Sequence, residues 1–453
     1  MQSEQPKYRI GMTVAACLWL GLFPLLQGGT YARITYDKWI IMLILTGVTL
    51  LCFCADLLIR LLHDGSVKRK KSRVAVPLIL ASVLLVWTVL SCLLGDYQAD
   101  TYWLGSGARY EGLASQLCYF ALFVCFLFSR VKLKPVLLSA AAGMIVFFVI
   151  VMLQRGGGNP LGLYPAGRSY ARNKEFQGTI GNIDMGTGYL LLLSGLFLYG
   201  LINLFFTSEG NKLRFTGIAF RPGQKSSWKS LVQPAVYAVG LVLSLFLIIT
   251  MDVQFGAISL AVLFLFTLLR FIPKKWRLPL LLLVIIAVLL VVWFWPGYGG
   301  GIWELHEILH GRSRLSFGSD RVAVWTYSLG LARENLLLGG GSATFVARFN
   351  DYIKEHDLVV PKEQDGRALP DYFDNPHNEY IQQLTDHGLP AMLLFIALLL
   401  FAIFRKREGW FPLLAPCSAA VLCYAVQALF SFSVCIVAPM FWILLGLSFR
   451  EQS

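Results

Sequence analysis

Twelve apolar runs of roughly bilayer-crossing length punctuate this chain, and they leave few folds open to it. They fall near residues 10–29, 39–62, 74–94, 113–129, 135–153, 185–206, 234–251, 253–272, 278–296, 388–404, 411–430 and 432–449. Crossing about 30 Å of hydrocarbon takes about 20 apolar residues as a helix, and a helix satisfies its own backbone polar groups where no water can. Only 14% of the residues are charged and 57% are hydrophobic, whereas soluble domains carry about 25% charged residues. A disordered, collagen-like, coiled-coil or ordinary soluble protein is therefore excluded. The expected fold is all-α, a polytopic membrane protein with about twelve transmembrane helices and one large extracytoplasmic loop carrying short helices. Residues 1–296 would hold helices one to nine, 297–387 the loop, and 388–453 the last three. The first run lacks a small-residue cleavage site and reads as a retained helix rather than a signal peptide.

Lys and Arg set the orientation, because they resist translocation in short loops. With the N-terminus inside, the cytoplasmic segments hold 24 of the 39 Lys and Arg and only five Asp and Glu. KRKKSR (68–73), RVKLK (130–134), PKKWR (273–277) and RKR (405–407) all fall on that side, so both termini are expected in the cytoplasm. The same runs explain the basic pI. Each ends a hydrophobic span, where topology and anionic lipid account for the charge, and no nucleic-acid partner is expected. All nine cysteines lie in spans with no CxxC pair, which argues against a disulfide framework or a Cys-ligated metal.

Charges inside a membrane mark ion relays, because they are costly there. Only Asp56 and Arg60 fall within a span, one turn apart, while Asp252 sits at an outer turn. No repeat relates the two halves. Both facts count against an ion-coupled transporter, although a flippase for a bulky lipid stays open as an alternative. The polar material gathers outside, in 95–112, 154–184 and above all 297–387. A connection that long is usually functional.

Within the long loop, residues 317–345 read as a helix followed by a glycine turn, with Ser319 or Asp320 as cap and Arg321 in the first turn. Trp325 and Leu329 would share one face. Arg321 is either a solvated residue of an amphipathic helix lying on lipid or an anion clamp, since guanidinium makes bidentate bonds to phosphate. The triple glycine 339–341 has neither a preceding strand nor a Lys, so it reads as a helix stop rather than a phosphate loop. In DNPHNEYIQQLTDHGLP (374–390), Asn375 can cap a helix and Pro376 suits its first position, and HGLP breaks that helix near 386. His377, Tyr380, Ile381 and Leu384 would then share a face. HEILH (306–310) fits the zinc-protease pattern HExxH, with Glu307 as general base, but no third ligand follows at a convincing spacing. A membrane metallopeptidase therefore remains a weaker alternative, and no metal or other cofactor is expected.

Together these pieces resemble the O-antigen ligase and polymerase superfamily of membrane glycosyltransferases. The resemblance is carried by R-x-x-x-W (Arg321 to Trp325), LLLGGGSATF, PHNEYIQQLTDHGLPAMLLF and QALFSFSVCIVAPMFWILLGL, with RYEG (109–112) and GTIGN (178–182) earlier. HEILHG looks like part of the same pattern. One departure stands out: where the family often carries Ser-Arg-Gly before a span, this chain has DVQFGA (252–257). The resemblance implies a GT-C-like enzyme of the cytoplasmic (inner) membrane in cell-surface polysaccharide biosynthesis. Such an enzyme takes a glycan from an undecaprenyl-diphosphate carrier and joins it to a hydroxyl of a glycan, glycolipid or protein acceptor. Ligase and polymerase, which differ only in the acceptor, are not separated. It further implies His377 as base and Arg321 as diphosphate clamp. Asn378, Glu379 and Tyr380 would orient base or acceptor, and Arg109, Glu111 and Asn182 would bind substrate. Arg109, Arg168 and Arg172 are the candidates for the missing second arginine.

Overall fold

The computed structural model describes residues 10–64, 74–95, 99–105, 109–209, 212–215, 229–358, 373–404 and 415–450. The basic runs 68–73 and 405–407 and the side chain of Arg60 lie outside the described residues. Among the described residues ten α-helices precede the long loop: α1 (Ile10–Cys17), α2 (Ile34–Asp64), α3 (Ala75–Leu94), α4 (Ala99–Leu104), α5 (Leu113–Phe128), α6 (Leu133–Arg155), α7 (Ile183–Phe205), α8 (Lys229–Met251), α9 (Gln254–Phe271) and α10 (Lys274–Trp293). The loop carries α11 (Gly300–Leu309), α12 (Arg321–Glu334) and α13 (Phe345–Glu355), and the chain then runs through α14 (Glu379–Phe404), α15 (Pro416–Gln427) and α16 (Ala438–Ser448). Among the described residues, strand is confined to two short hairpins, one of which pairs β1 (Phe176–Gln177) with β2 (Gly181–Asn182). The all-α polytopic class is thus observed. Eight of the described helices are long and apolar enough to cross a bilayer, and four shorter apolar helices match the remaining runs.

The central helix is α7, which packs on α8 and α15. Its run of small residues lets backbones close in: a Cβ on Gly195 would strike the Ala419–Ala420 backbone of α15. Such close approach replaces the hydrophobic drive that lipid removes. One core then extends from Met12 to Phe449.

Two departures from the expected spans follow from tertiary contacts, and one expected break is met. Helix α2 begins five residues early and brings the fully buried Lys38 with it, so Asp56 and Arg60 are not the only charges in that helix. Lys38 Nζ donates to the carbonyls of Phe23 (2.8 Å) and Pro24 (2.9 Å), where the first span ends as a 3-10 turn. Helices α15 and α16 are shorter than their apolar runs, and the residues between them, 428–437, form an irregular segment largely buried in protein. Non-helical backbone at membrane depth is tolerated under that condition. Helix α14, finally, contains a sharp break at Gly388 (φ 79°, ψ 177°), as HGLP suggested.

The triple glycine docks against that break. Gly340 N donates to Thr385 O (3.2 Å), Gly341 N to Asp386 O (2.8 Å), and Leu389 N to Leu336 O (2.8 Å). Trp87 Nε1 and Ser91 Oγ of α3 reach the carbonyls of His387 and Asp386 from the other side. The glycines do more than stop α12, since a Cβ on Gly339 would meet the Asp386 carbonyl and one on Gly388 the Leu337 carbonyl. Both also hold positive φ. Gly388→Ala should therefore cost at least about 1–3 kcal/mol of backbone strain before any clash is counted, read as a lower Tm of the detergent-solubilised chain. Gly47→Ala, where a Cβ meets nothing within 4 Å, should leave Tm nearly unchanged.

Candidate active site

Arg321 opens α12, whose inner face forms a small satellite core outside the main one. Ala323, Val324, Tyr327 and Leu331 pack there on Phe345, Phe349 and Ile353 of α13 and on Phe373. Of Trp325 and Leu329, one turn apart, Trp325 is half-buried and Leu329 is exposed. Ser319 and Asp320 both hold positive φ, and the Asp320 side chain does not cap the helix. Trp325 Nε1 donates to the Pro376 carbonyl (2.8 Å), so one turn of α12 is tied to the segment that carries His377. The lipid-lying helix does not describe this arrangement. Arg321 is half-buried, Asp184 of α7 sets a negative charge near it, and burial pushes its pKa below the usual range. One guanidinium bond goes to Gly318 O (3.1 Å), while the buried Nε has no partner among the described residues.

His377 lies outside the helix expected to contain it. Asn378, not Asn375, caps α14, its Oδ1 accepting from the amides of Tyr380 (3.0 Å) and Ile381 (3.1 Å). Asn375 Oδ1 instead accepts from His377 N (2.7 Å), closing a turn that holds His377 at φ 48°. Residues other than glycine and asparagine seldom occupy this left-handed region, and where they do the strain often marks a functional position. The ring stands edge-on to Phe432, centroids 5.2 Å apart, and its buried Nδ1 has no partner among the described residues. Burial, then the Arg321 and Arg109 guanidinium charges, lower its pKa to about 4 against an opposing pull from Asp374. At neutral pH the imidazole is uncharged and can accept a proton.

A cavity that opens to solvent lies beside it, walled in part by Arg109, Glu111, Asp374, Glu379 and Phe432. The Arg109 guanidinium pairs with Asp374 and lies 3.9 Å over the Phe432 ring. Phe432 thus touches both Arg109 and His377, on the irregular segment that sequence periodicity hid inside a span. Asp374, Asp184 and Phe432 were not singled out from the sequence. Only Asp374 had a local signal, as the first residue of the DNPHNEY stretch.

The remaining predicted residues separate. Arg168 and Arg172 are exposed on a surface turn, Arg172 donating to Gly167 O (3.3 Å), and neither lines the cavity beside His377. Of the three arginines proposed to replace the missing one, Arg109 alone reaches the site. Asn182 caps α7 by accepting from Asp184 N (2.8 Å). The Tyr380 hydroxyl donates to Ala425 O (2.6 Å), clamping α14 to α15. Asn182, Asn378 and Tyr380 are thus occupied with backbone, and helix caps and clamps of this kind place the site rather than line it.

The HExxH helix is also committed elsewhere. His306 and His310 direct Nδ1 to the carbonyls of Val292 (3.0 Å) and His306 (2.8 Å). Glu307 accepts two bonds from Arg312 (2.7 and 2.9 Å), and that guanidinium holds its carboxyl below the usual range. Among the described residues no group of three or more His, Cys, Asp or Glu gathers to hold a metal.

Residues 239–396 match the family described as O-Antigen ligase. The matched segment is about a third of the chain and is similar to that family. The matched segment contains Arg321, His377 and Glu379, while Arg109, Glu111, Asp184 and Phe432 come from outside it. The candidate site therefore draws on residues from both sides of the matched segment. No curated protein matches the chain.

Proposed function

We propose that this membrane protein transfers a glycan from a polyprenyl-diphosphate carrier, undecaprenyl diphosphate in bacteria, to an acceptor hydroxyl at the outer face of the cytoplasmic membrane. The observation that carries this reading is the pair of orphaned polar atoms, His377 Nδ1 and Arg321 Nε, on two segments tied by the Trp325–Pro376 bond. Buried polar groups without partners cost about 1–3 kcal/mol each, and a ligand bearing a hydroxyl and an anion supplies what both lack.

In the proposed reaction the acceptor oxygen attacks the anomeric carbon while the bond from that carbon to the diphosphate oxygen breaks. The acceptor proton passes to neutral His377, and the departing diphosphate keeps the electron pair and is stabilised by Arg321. The donor bond already carries a good leaving group, so nothing in the step consumes ATP or a nucleotide sugar. Arg109, held by Asp374, adds positive potential and helps keep His377 unprotonated.

The sign of the pH dependence follows. A base whose pKa is depressed to about 4 stays neutral as pH falls past the ordinary histidine value of about 6.5. The acidic limb of kcat/KM, which reports the free enzyme, should therefore lie well below 6.5. A limb at 6.5 or above would remove burial and the arginine field as the tuning agents. The function itself is tested by transfer in vitro from a purified lipid-diphosphate glycan to candidate acceptors in turn. Product from wild type and none from His377→Ala supports it, whereas equal transfer by both sinks it. If His377→Ala left transfer intact while export of the lipid-linked glycan failed, a flippase would replace the transferase.

A further inference from the structure

Two carboxyl groups line the cavity, and neither has a full set of partners. Glu111 precedes α5 and Glu379 opens α14, and their charges are near enough to act on each other. Each is held from behind by a buried tyrosine: Tyr119 donates to Glu111 Oε1 (2.7 Å), and Tyr424 bonds the Glu379 side chain. Glu379 Oε2 is buried with no partner among the described residues, and Glu111 Oε2 is buried with no side-chain partner there, only the Cys435 backbone bearing on that carboxyl besides Tyr119. Glu379 is only 4% exposed. Two braced carboxyls in one cavity, neither fully partnered, are built to meet something.

The rest of the wall narrows what that is. Gln116, Asn375, Gln382 and Gln383 offer neutral amides, and Gln382 Oε1 is also buried and unpartnered. Phe432 supplies an aromatic face. Asp374 and Asp386 join the two glutamates on the wall, Asp374 already paired with Arg109 and Asp386 with Arg348, so among the described residues the wall leaves no cation unpaired for a diphosphate. Burial raises the Glu111 pKa to about 8, with the Glu379 charge adding to the effect. A protonated Glu111 donates a hydrogen bond while its neighbour accepts one. Hydroxyls, which both donate and accept, satisfy such a mixed pair, and the aromatic ring suits the C–H face of a sugar.

We infer that this cavity is a subsite for an uncharged sugar ring, with Glu111 and Glu379 bridging two of its hydroxyls and Phe432 against its apolar face. The inference rests on the transferase reading for its place in the reaction, but not for the binding itself. The ring belongs either to the acceptor or to the glycan on the donor.

The binding test uses the purified full chain in detergent and methyl glycosides of glucose, galactose and mannose, read by saturation transfer from protein to glycoside protons. At least one glycoside should bind wild type and His377→Ala alike, and lose its signal in Glu111→Ala/Glu379→Ala. Glu111→Gln and Glu379→Gln keep the side-chain size, and an unchanged Tm shows that they fold. In the transfer assay Glu379→Gln should raise KM about tenfold, the equivalent of about 1.4 kcal/mol, with kcat changed much less. A rise confined to the acceptor KM assigns the ring to the acceptor, and one confined to the donor KM assigns it to the donor glycan. Glycoside binding without any transfer would overturn the transferase reading and leave the subsite standing. Absence of glycoside binding to wild type, or binding unaltered in the folded glutamate variants, overturns the subsite.

Discussion

His377→Ala lowers glycan transfer by about 10²–10⁴-fold, the usual contribution of a general acid or base, while the protein inserts at normal levels and the lipid-linked donor accumulates. The expectation of normal insertion rests on geometry. His377 lies in a turn closed by its own backbone amide and Asn375, and its side chain makes only an edge contact with Phe432. Alanine removes the proton acceptor and leaves the Asn378 cap and the Trp325–Pro376 tie in place. His377→Gln should be nearly as inactive, because an amide fills the space without accepting the proton. The measurement is donor consumption and product formation in vitro, with membrane levels of the variant quantified in parallel. Full transfer by a normally inserted His377→Ala would exclude the imidazole from the chemistry.

Arg321→Ala should cost about 10²–10³-fold in kcat, the scale seen when one preorganised charge-stabilising donor is removed. The loss should fall on kcat more than on acceptor KM, since the charge on the departing diphosphate develops in the transition state. Arg321→Lys should recover only part of the rate. Lysine keeps the charge but not the planar fork, and Nε, the orphaned atom in this site, has no counterpart in lysine. Asp184 faces the same guanidinium. Removing Arg321 therefore also leaves a buried carboxylate without its counter-charge, so a Tm measurement must accompany the kinetics. A stable Arg321→Ala with wild-type kcat would dismiss the clamp.

The apolar runs were enough to specify an all-α membrane bundle, because a bilayer permits almost nothing else to a chain with this spacing and so little charge. Sequence also pointed to the polar segments, the helix of Arg321, the break at HGLP and the prominence of PHNEY, each of which is a local matter of capping, glycine and proline. Local pattern misled where a turn competed with a helix: Asn375 and Asn378 are both plausible caps. Asn375 closes a turn that only tertiary contact with Trp325 and Phe432 stabilises, and His377 is left outside α14. Lys38 and the segment around Phe432 were misread for a related reason. Hydropathy averages over a window, so one buried lysine, or an irregular stretch as apolar as a helix, does not alter the mean.

Which arginine completes the site could not be read along the chain at all. Arg109, Arg168 and Arg172 are equivalent as residue types in polar loops, and they are separated only when Asp374 and Phe432, about 265 and 320 residues further on, arrive beside the first of them. Membrane spanning is a property of each segment against lipid, whereas the depressed basicity of His377 and the two half-satisfied glutamates arise from charges and burial supplied by other segments. Fields of that kind depend on distance in space, and a linear order of residues does not contain it.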